Sequence, residues 1–143
     1  MYKKEIMSDV RWGFYENKYD SFEQFIREVI EYNKDLDLEW IPDATVLVCQ
    51  DVIIQYSYWD DDIKTVIEKD FELIADNQTD FTAGELLFKI HNQVVDRLKN
   101  EDFNIFQGLA LLKKDCCTNL DKPHYFIEQG ALSFLGENTG GCF

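Results

Sequence analysis

His91 is the first residue to test for chemistry, because it is one of only two histidines and lies one and a half helical turns beyond Glu85. General acid–base work needs such a group held beside a partner of matched pKa. The residues that share its spacing, Leu87, Ile90, Val94, Val95 and Leu98, are apolar. A lone histidine in that company reads as a packed, hydrogen-bonded core residue. No nucleophile has a recognisable setting beside it: the chain contains no GxSxG turn, and Cys49 falls in an expected buried strand. Cys116, Cys117, His124 and Cys142 are the residues that could surround a soft metal, yet their spacings match no zinc ribbon or knuckle. Asp60-Asp61-Asp62 lacks the alternating oxygen ligands and the glycine of a calcium loop, so it reads as a charged hairpin turn. Asn77-Gln78-Thr79 matches a glycosylation sequon and, without secretion, is expected to be chance. No glycine-rich stretch joins a strand to a helix to cradle phosphate, and no basic patch offers a nucleic-acid footprint. The expectation is a non-enzymatic protein with no cofactor and no metal.

The elements that position these residues are set by hydrophobic period. Thr82 to Lys99 carries Leu87, Ile90, His91, Val94, Val95 and Leu98 at three- and four-residue steps, with Leu86 widening the stripe, and Thr82 with Glu85 forms a capping pair. Ser21 with Gln24 opens a second helix over Phe22 to Tyr32 in the same way. Residues 1–20 read as an irregular segment, with Val10 to Tyr15 extended at most. Asn33 to Asp43 is an acidic connector that Pro42 closes to helix. Thr45 to Cys49 and Val52 to Trp59 are rich in β-branched and aromatic residues, and Gln50-Asp51 between them is the length of a tight hairpin turn, without the favoured glycine. Thr65 to Ala75, Ile105 to Lys113 and His124 to Gln129 complete the strands, with Gly108 marking a bulge or a close backbone approach. Residues 132–143 read as a flexible tail. The expected fold is therefore one α+β domain over 1–143, in the order α-β-β-β-α-β-β: a five-stranded, mainly antiparallel sheet with both helices on one face.

Composition narrows the function classes further. A chain of 143 residues buries a proper core, and 45% apolar content with 15% aromatic residues argues against disorder despite a net charge of -14. The excess is uneven: residues 1–72 hold 18 acidic and 8 basic side chains. Such a field repels nucleic acid and anionic membrane and attracts basic proteins. The polar start, the lack of any long apolar run and the unpaired look of the four cysteines point to a cytoplasmic protein with reduced thiols. Outside the regular elements, Asp35, Asp37, Glu39 and Trp40, and again Trp59, Asp60, Asp61 and Asp62, set carboxylates beside large aromatic rings. Aromatic anchors ringed by charge are one way in which tight protein interfaces are built. The plainer alternative is that the tryptophans cover the core and the acids face water.

The strings GELLFKIHNQVVDRL from Gly84, FNIFQGLALL from Phe103 and PHYFIEQGA from Pro123 resemble small acidic bacterial proteins associated with the immunity proteins of polymorphic toxin systems. The resemblance covers Ser21 to about Ala131. It implies a cytoplasmic antidote that binds a basic cognate toxin and blocks its active site, and it carries no binding residue across to this chain. Two other classes stand beside it: a structural or regulatory protein that self-associates across a sheet edge, and a small enzyme or metal-binding protein.

Overall fold

The computed structural model describes residues 2–15, 17–112 and 122–131. In chain order the elements are β1 (Glu5–Ile6), β2 (Trp12–Gly13), α1 (Phe22–Lys34), β3 (Thr45–Leu47), β4 (Asp51–Asp60), β5 (Thr65–Ile74), β6 (Phe81–Thr82), α2 (Ala83–Leu98), β7 (Ile105–Leu111) and β8 (His124–Gly130). The α+β class and the two helices match the sequence-based expectation. The sheet differs from it in number, order and direction.

Six strands, not five, make the main sheet, in the order β1-β7-β8-β4-β5, with β2 also on β7. Since β8 occupies one edge of β7, the two short N-terminal strands share its other edge, β1 opposite Leu109 and Ala110 and β2 opposite Ile105 and Phe106. Residues 1–20, read from sequence as irregular, thus contribute sheet strands and the buried side chains of Ile6, Met7, Val10, Trp12 and Phe14. The sheet is mixed, because β8 runs parallel to β4 over Ile53 to Gln55. The expected hairpin across Gln50-Asp51 does not form. Thr45–Leu47 pairs instead with β6 in a separate two-stranded sheet, while β4 turns its length to β5 in a ten-pair antiparallel ladder. Gln50-Asp51 lacks the glycine favoured in a primed turn, and the Gln50 carbonyl accepts from Ala75 N–H at 2.8 Å, as the continuation of the β4–β5 ladder.

Both helices start where the capping pairs placed them. Ser21 Oγ accepts from Gln24 N–H at 3.1 Å, and Thr82 Oγ1 from Glu85 N–H at 3.2 Å. The return arm of the α2 box is diverted: the Glu85 carboxylate accepts from Asp76 N–H and from Lys89, tying the helix to the end of β5. The core lies between these helices and the sheet face presented by Val52, Ile54, Tyr56 and Tyr58 of β4 with Leu109, Tyr125 and Ile127 of the neighbouring strands. Gly108 has φ +136°, sits at a register shift in the β7–β8 ladder, and any Cβ there would lie 3.2 Å from Ser8 Cα. The bulge and the close approach are one feature, which lets the chain between β1 and β2 pass over β7.

The N-terminal strap is held by side chains as much as by ladders. Asn33 of α1, fully buried, accepts from Arg11 N–H at 2.7 Å and donates to the Arg11 carbonyl at 2.9 Å and to its own helix at Val29. Asn92 of α2 does the same for Tyr19, accepting from its N–H at 2.9 Å and donating to its carbonyl at 3.0 Å. Replacing Asn33 by Leu keeps the branching at Cγ but adds bulk and orphans both peptide groups of Arg11. Equilibrium denaturation should show a loss of about 2–3 kcal/mol, and a change below about 0.5 kcal/mol would mean that the strap does not depend on this clamp.

Candidate functional site

His91 is not a reactive group in waiting. It is fully buried within rings of Trp12, Phe14, Tyr19 and Phe25 at centroid distances of 5.2 to 5.9 Å. Trp12 Nε1 donates to its Nδ1 at 3.0 Å, which leaves Nε2 to carry the proton and donate to the Asn17 carbonyl at 3.0 Å. Both nitrogens are used and the tautomer is fixed. Burial pushes its pKa below the ordinary 6.5. Cys49 is a half-buried free thiol whose pKa is pushed up to about 11, by burial first and then by the charge of Asp51, so it stays protonated and inert. The cysteines at 116, 117 and 142 and the expected tail over 132–143 lie outside the described residues. Among the described residues no group of three or more histidine, cysteine, aspartate or glutamate side chains is placed to hold a metal ion. No helix among them is long and apolar enough to cross a membrane. A cleft of about 710 Å³ between residues 2–9 and 45–48 has no histidine or cysteine among its lining side chains.

The eight acidic and aromatic positions singled out from sequence fall at two ends of α2. Pro42, just after the first group, accepts from Gly84 N–H at the helix start, whereas Glu101, just past the helix end, accepts from Trp59 N–H. The sixteen residues between them rise over about 24 Å. The two groups are therefore separate surfaces and not one patch. In the first, Asp35, Asp37 and Glu39 are exposed, but Trp40 is only 7% exposed and belongs to the core. It lines a shallow cleft of about 340 Å³ with Ile30, Lys34 and Asp37, and its indole N–H has no hydrogen-bond partner among the described residues. Trp40 thus covers the core beside acids that face water, and leaves little of its ring exposed.

The second group is different. Trp59 is 47% exposed and lies within β4, not outside the regular elements, directly opposite Val66, which is 57% exposed. Alternation along β4 buries its even-numbered residues toward the helices and leaves Asp51, Ile53, Gln55, Ser57 and Trp59 on the other face. Their cross-strand partners on that face are Ile74, Glu72, Asp70, Glu68 and Val66. An indole and a valine side chain therefore stand at the head of a row of three carboxylates. Asp60 does not face a partner; its Oδ1 accepts from the N–H groups of Asp62 and Ile63 and so builds the turn. Asp61 accepts from the Trp59 indole N–H at 3.0 Å and orients that ring. Asp62 is exposed beside Ile63, itself 60% exposed. Sequence reasoning found Trp59 to Asp62 but missed Val66, Glu68, Asp70 and Glu72. The signal was present in the partial alternation of the Thr65 to Ala75 run, and only the register shows that its acids share a face with Trp59.

Compensation of this face is sparse. Lys122 reaches Asp51 at 3.4 Å and Glu72 at 2.5 Å, and Lys64 lies 3.9 Å from Asp61. Glu68 and Asp70 make no ion pair among the described residues. The arrangement can offer hydrogen-bond acceptors and negative charge around an apolar anchor. Compared with protein-family models, with curated proteins and with solved structures, the chain finds no match in any of the three. The resemblance drawn from sequence strings therefore gains no support from them.

The state of His91 has a measurable consequence. Its folded-state pKa is lowered, so the unfolded chain takes up the proton more readily and stability is full above pH 6.5, falling as the pH drops below that value toward the folded-state pKa. Urea-unfolding midpoints should decline between pH 7 and pH 5. His91→Gln, which can accept from Trp12 and donate to Asn17, should flatten that decline, while His91→Ala should cost about 3–5 kcal/mol at neutral pH. An unchanged slope in His91→Gln would assign the pH dependence to other groups.

Proposed function

We propose that this protein is a non-enzymatic binding module whose working surface is the outer face and tip of the β4–β5 hairpin, and that its partner is a basic protein. The observation that carries the reading is the exposed Trp59–Val66 pair set directly beside the carboxylates of Glu68, Asp70 and Glu72 on one face of a regular ladder. A rigid aromatic side chain supplies contact area at low entropic cost, and the acids around it speed encounter with a cationic surface and reject anionic ones. The net charge of -14 favours the same class of partner. The particular form we favour is an immunity-type protein that occludes a basic toxin, with the carboxylates standing where phosphates would bind if that toxin is a nuclease. This form rests on the resemblance of the strings from Gly84, Phe103 and Pro123 and on the charge.

The test begins with capture of the protein from its native cells and identification of a basic protein that purifies with it in a 1:1 complex. Rescue of cells expressing that protein would then separate an antidote from a simple binder. In titration of the purified pair, Trp59→Ala should weaken binding by about thirtyfold. Asp61→Asn with Asp62→Asn should chiefly slow association and reduce its salt dependence. Asp60→Asn is a poor probe of contact, because it disturbs the turn itself. Affinity unchanged in Trp59→Ala would move the contact off this face.

A further inference from the structure

β5 ends the main sheet, and among the described residues no strand pairs with its outer edge. It is ten residues long, and most of it is exposed. Which of its backbone groups are open follows from the ladder. Gln50 and Ala75 sit opposite one another as the continuation of the β4–β5 register, and Ala75 N–H donates to the Gln50 carbonyl, so that pair is a hydrogen-bonded one. Alternation then turns the peptide groups of Thr65, Ile67, Lys69, Phe71 and Leu73 toward β4, and those of Val66, Glu68, Asp70, Glu72 and Ile74 outward. The far side of β4 agrees: Ile53 N–H donates away from β5, to the Pro123 carbonyl, and Ser57 also points away, its N–H donating to Gln129 Oε1 and its carbonyl accepting from Gln129 Nε2. Lys89 caps the Ile74 carbonyl at 2.7 Å. The residues that offer unused edge groups thus include the three that carry the acidic row.

That coincidence selects an occupant. Two copies of this chain, paired antiparallel through residues 68–72 with their helices on the same side, would set Glu68 against Asp70 or Glu72, or like residues against one another. Like charges directly across a ladder are destabilising, so the edge discourages a second copy of itself. A foreign strand with Lys or Arg at alternate positions meets the acids in register and presents its other side chains beside Ile67 and Phe71, which are half-buried on the helix side. We propose that the free edge of β5 takes up an extended basic strand of a partner protein by backbone pairing, with Glu68, Asp70 and Glu72 matching its lysines or arginines. The inference rests on the reading of a basic partner given above and adds the mode of contact: strand addition, in which main-chain bonds give affinity and alternate side chains give specificity.

The probe is a synthetic peptide of alternating Lys and Val, about eight residues long, titrated at low salt into the whole protein. Binding should slow hydrogen exchange of the Glu68, Asp70 and Glu72 amides by about tenfold or more. Asp70→Pro removes one outward donor together with the Asp70 carboxylate, without touching the β4 ladder, a substitution that edge strands tolerate, and should weaken the peptide by about tenfold more than Asp70→Asn, which removes the charge alone. The same sequence with Glu in place of Lys should not bind. Should Asp70→Pro fold poorly, the exchange measurement on the unaltered protein decides. Absence of binding at low salt, or binding that leaves those amides unprotected, overturns strand addition. If a basic protein partner is lost in Trp59→Ala but kept at full affinity by Asp70→Pro, the binding-module reading survives and the edge inference falls; loss of partner capture altogether removes the former.

Discussion

A peptide group that leaves a strand ladder and enters the interior must still find a donor or acceptor, and this fold meets that demand with side chains drawn from its helices. Asn33 completes Arg11, Asn92 completes Tyr19, and His91 accepts from Trp12 while donating to the Asn17 carbonyl. Among the described residues the segment before α1 has only two short strands, β1 and β2, so these contacts hold it over the core. They fix the faces of α1 and α2 that must point toward the strap, and with them the packing of Phe25 against Trp12 and Phe88. The same device recurs in the sheet. Gln129 of β8 accepts from Ser57 N–H and donates to its carbonyl, both at 3.0 Å, just beyond the point where the three-residue parallel pairing with β4 stops. A carboxamide there stands in for the peptide of an absent strand residue.

His91 is held by both of its ring nitrogens. A histidine used for proton transfer needs a free nitrogen facing a substrate, and here each nitrogen closes a bond to the strap. Its neutral form is the one that can accept from an indole, and burial keeps it neutral. Conversion to imidazolium would remove the acceptor for Trp12 and place a charge among four aromatic rings. The residue that most invites a catalytic reading is therefore a structural rivet.

What could be read from sequence was local. Both helices are encoded by short-range spacing and by capping pairs, and both begin where Ser21 and Thr82 place them. The ten-residue strands β4 and β5 follow from β-branched and aromatic runs around a charged turn. Strand partners were not legible, because pairing is chosen by contacts distant in sequence: Thr45–Leu47 joins Phe81–Thr82 and not the neighbouring β4, and β8 comes parallel to β4 after some seventy residues. Glu5–Ile6 and Trp12–Gly13 are too short to show any period. The candidate surface was half visible. Trp59 to Asp62 advertised themselves as an aromatic beside a turn, whereas Asp35-Leu36-Asp37-Leu38-Glu39-Trp40 held its own correction: the strict alternation of acid and apolar residues is the mark of one wet and one covered side, and Trp40 is on the covered one.

The acidic row on β5 is hard to explain as a contribution to the fold. Glu68, Asp70 and Glu72 are second neighbours on one strand face, where like charges repel, and only Glu72 has a cation beside it among the described residues. Charged residues on an edge do guard against aggregation, but a lysine row or a mixed row would guard as well, and a mixed one would lessen the repulsion within the strand. Nor does the row offset positive charge elsewhere, since the chain as a whole is strongly acidic. A sparsely compensated line of one sign, beside an exposed indole and along peptide groups that have no strand partner among the described residues, is what the proposed binding role would use to select what may approach. On the proposed reading, repulsion of a second copy and attraction of a cationic strand are two consequences of the same field, and the edge geometry would convert that field from general stickiness into a preference for one alternating pattern of side chains.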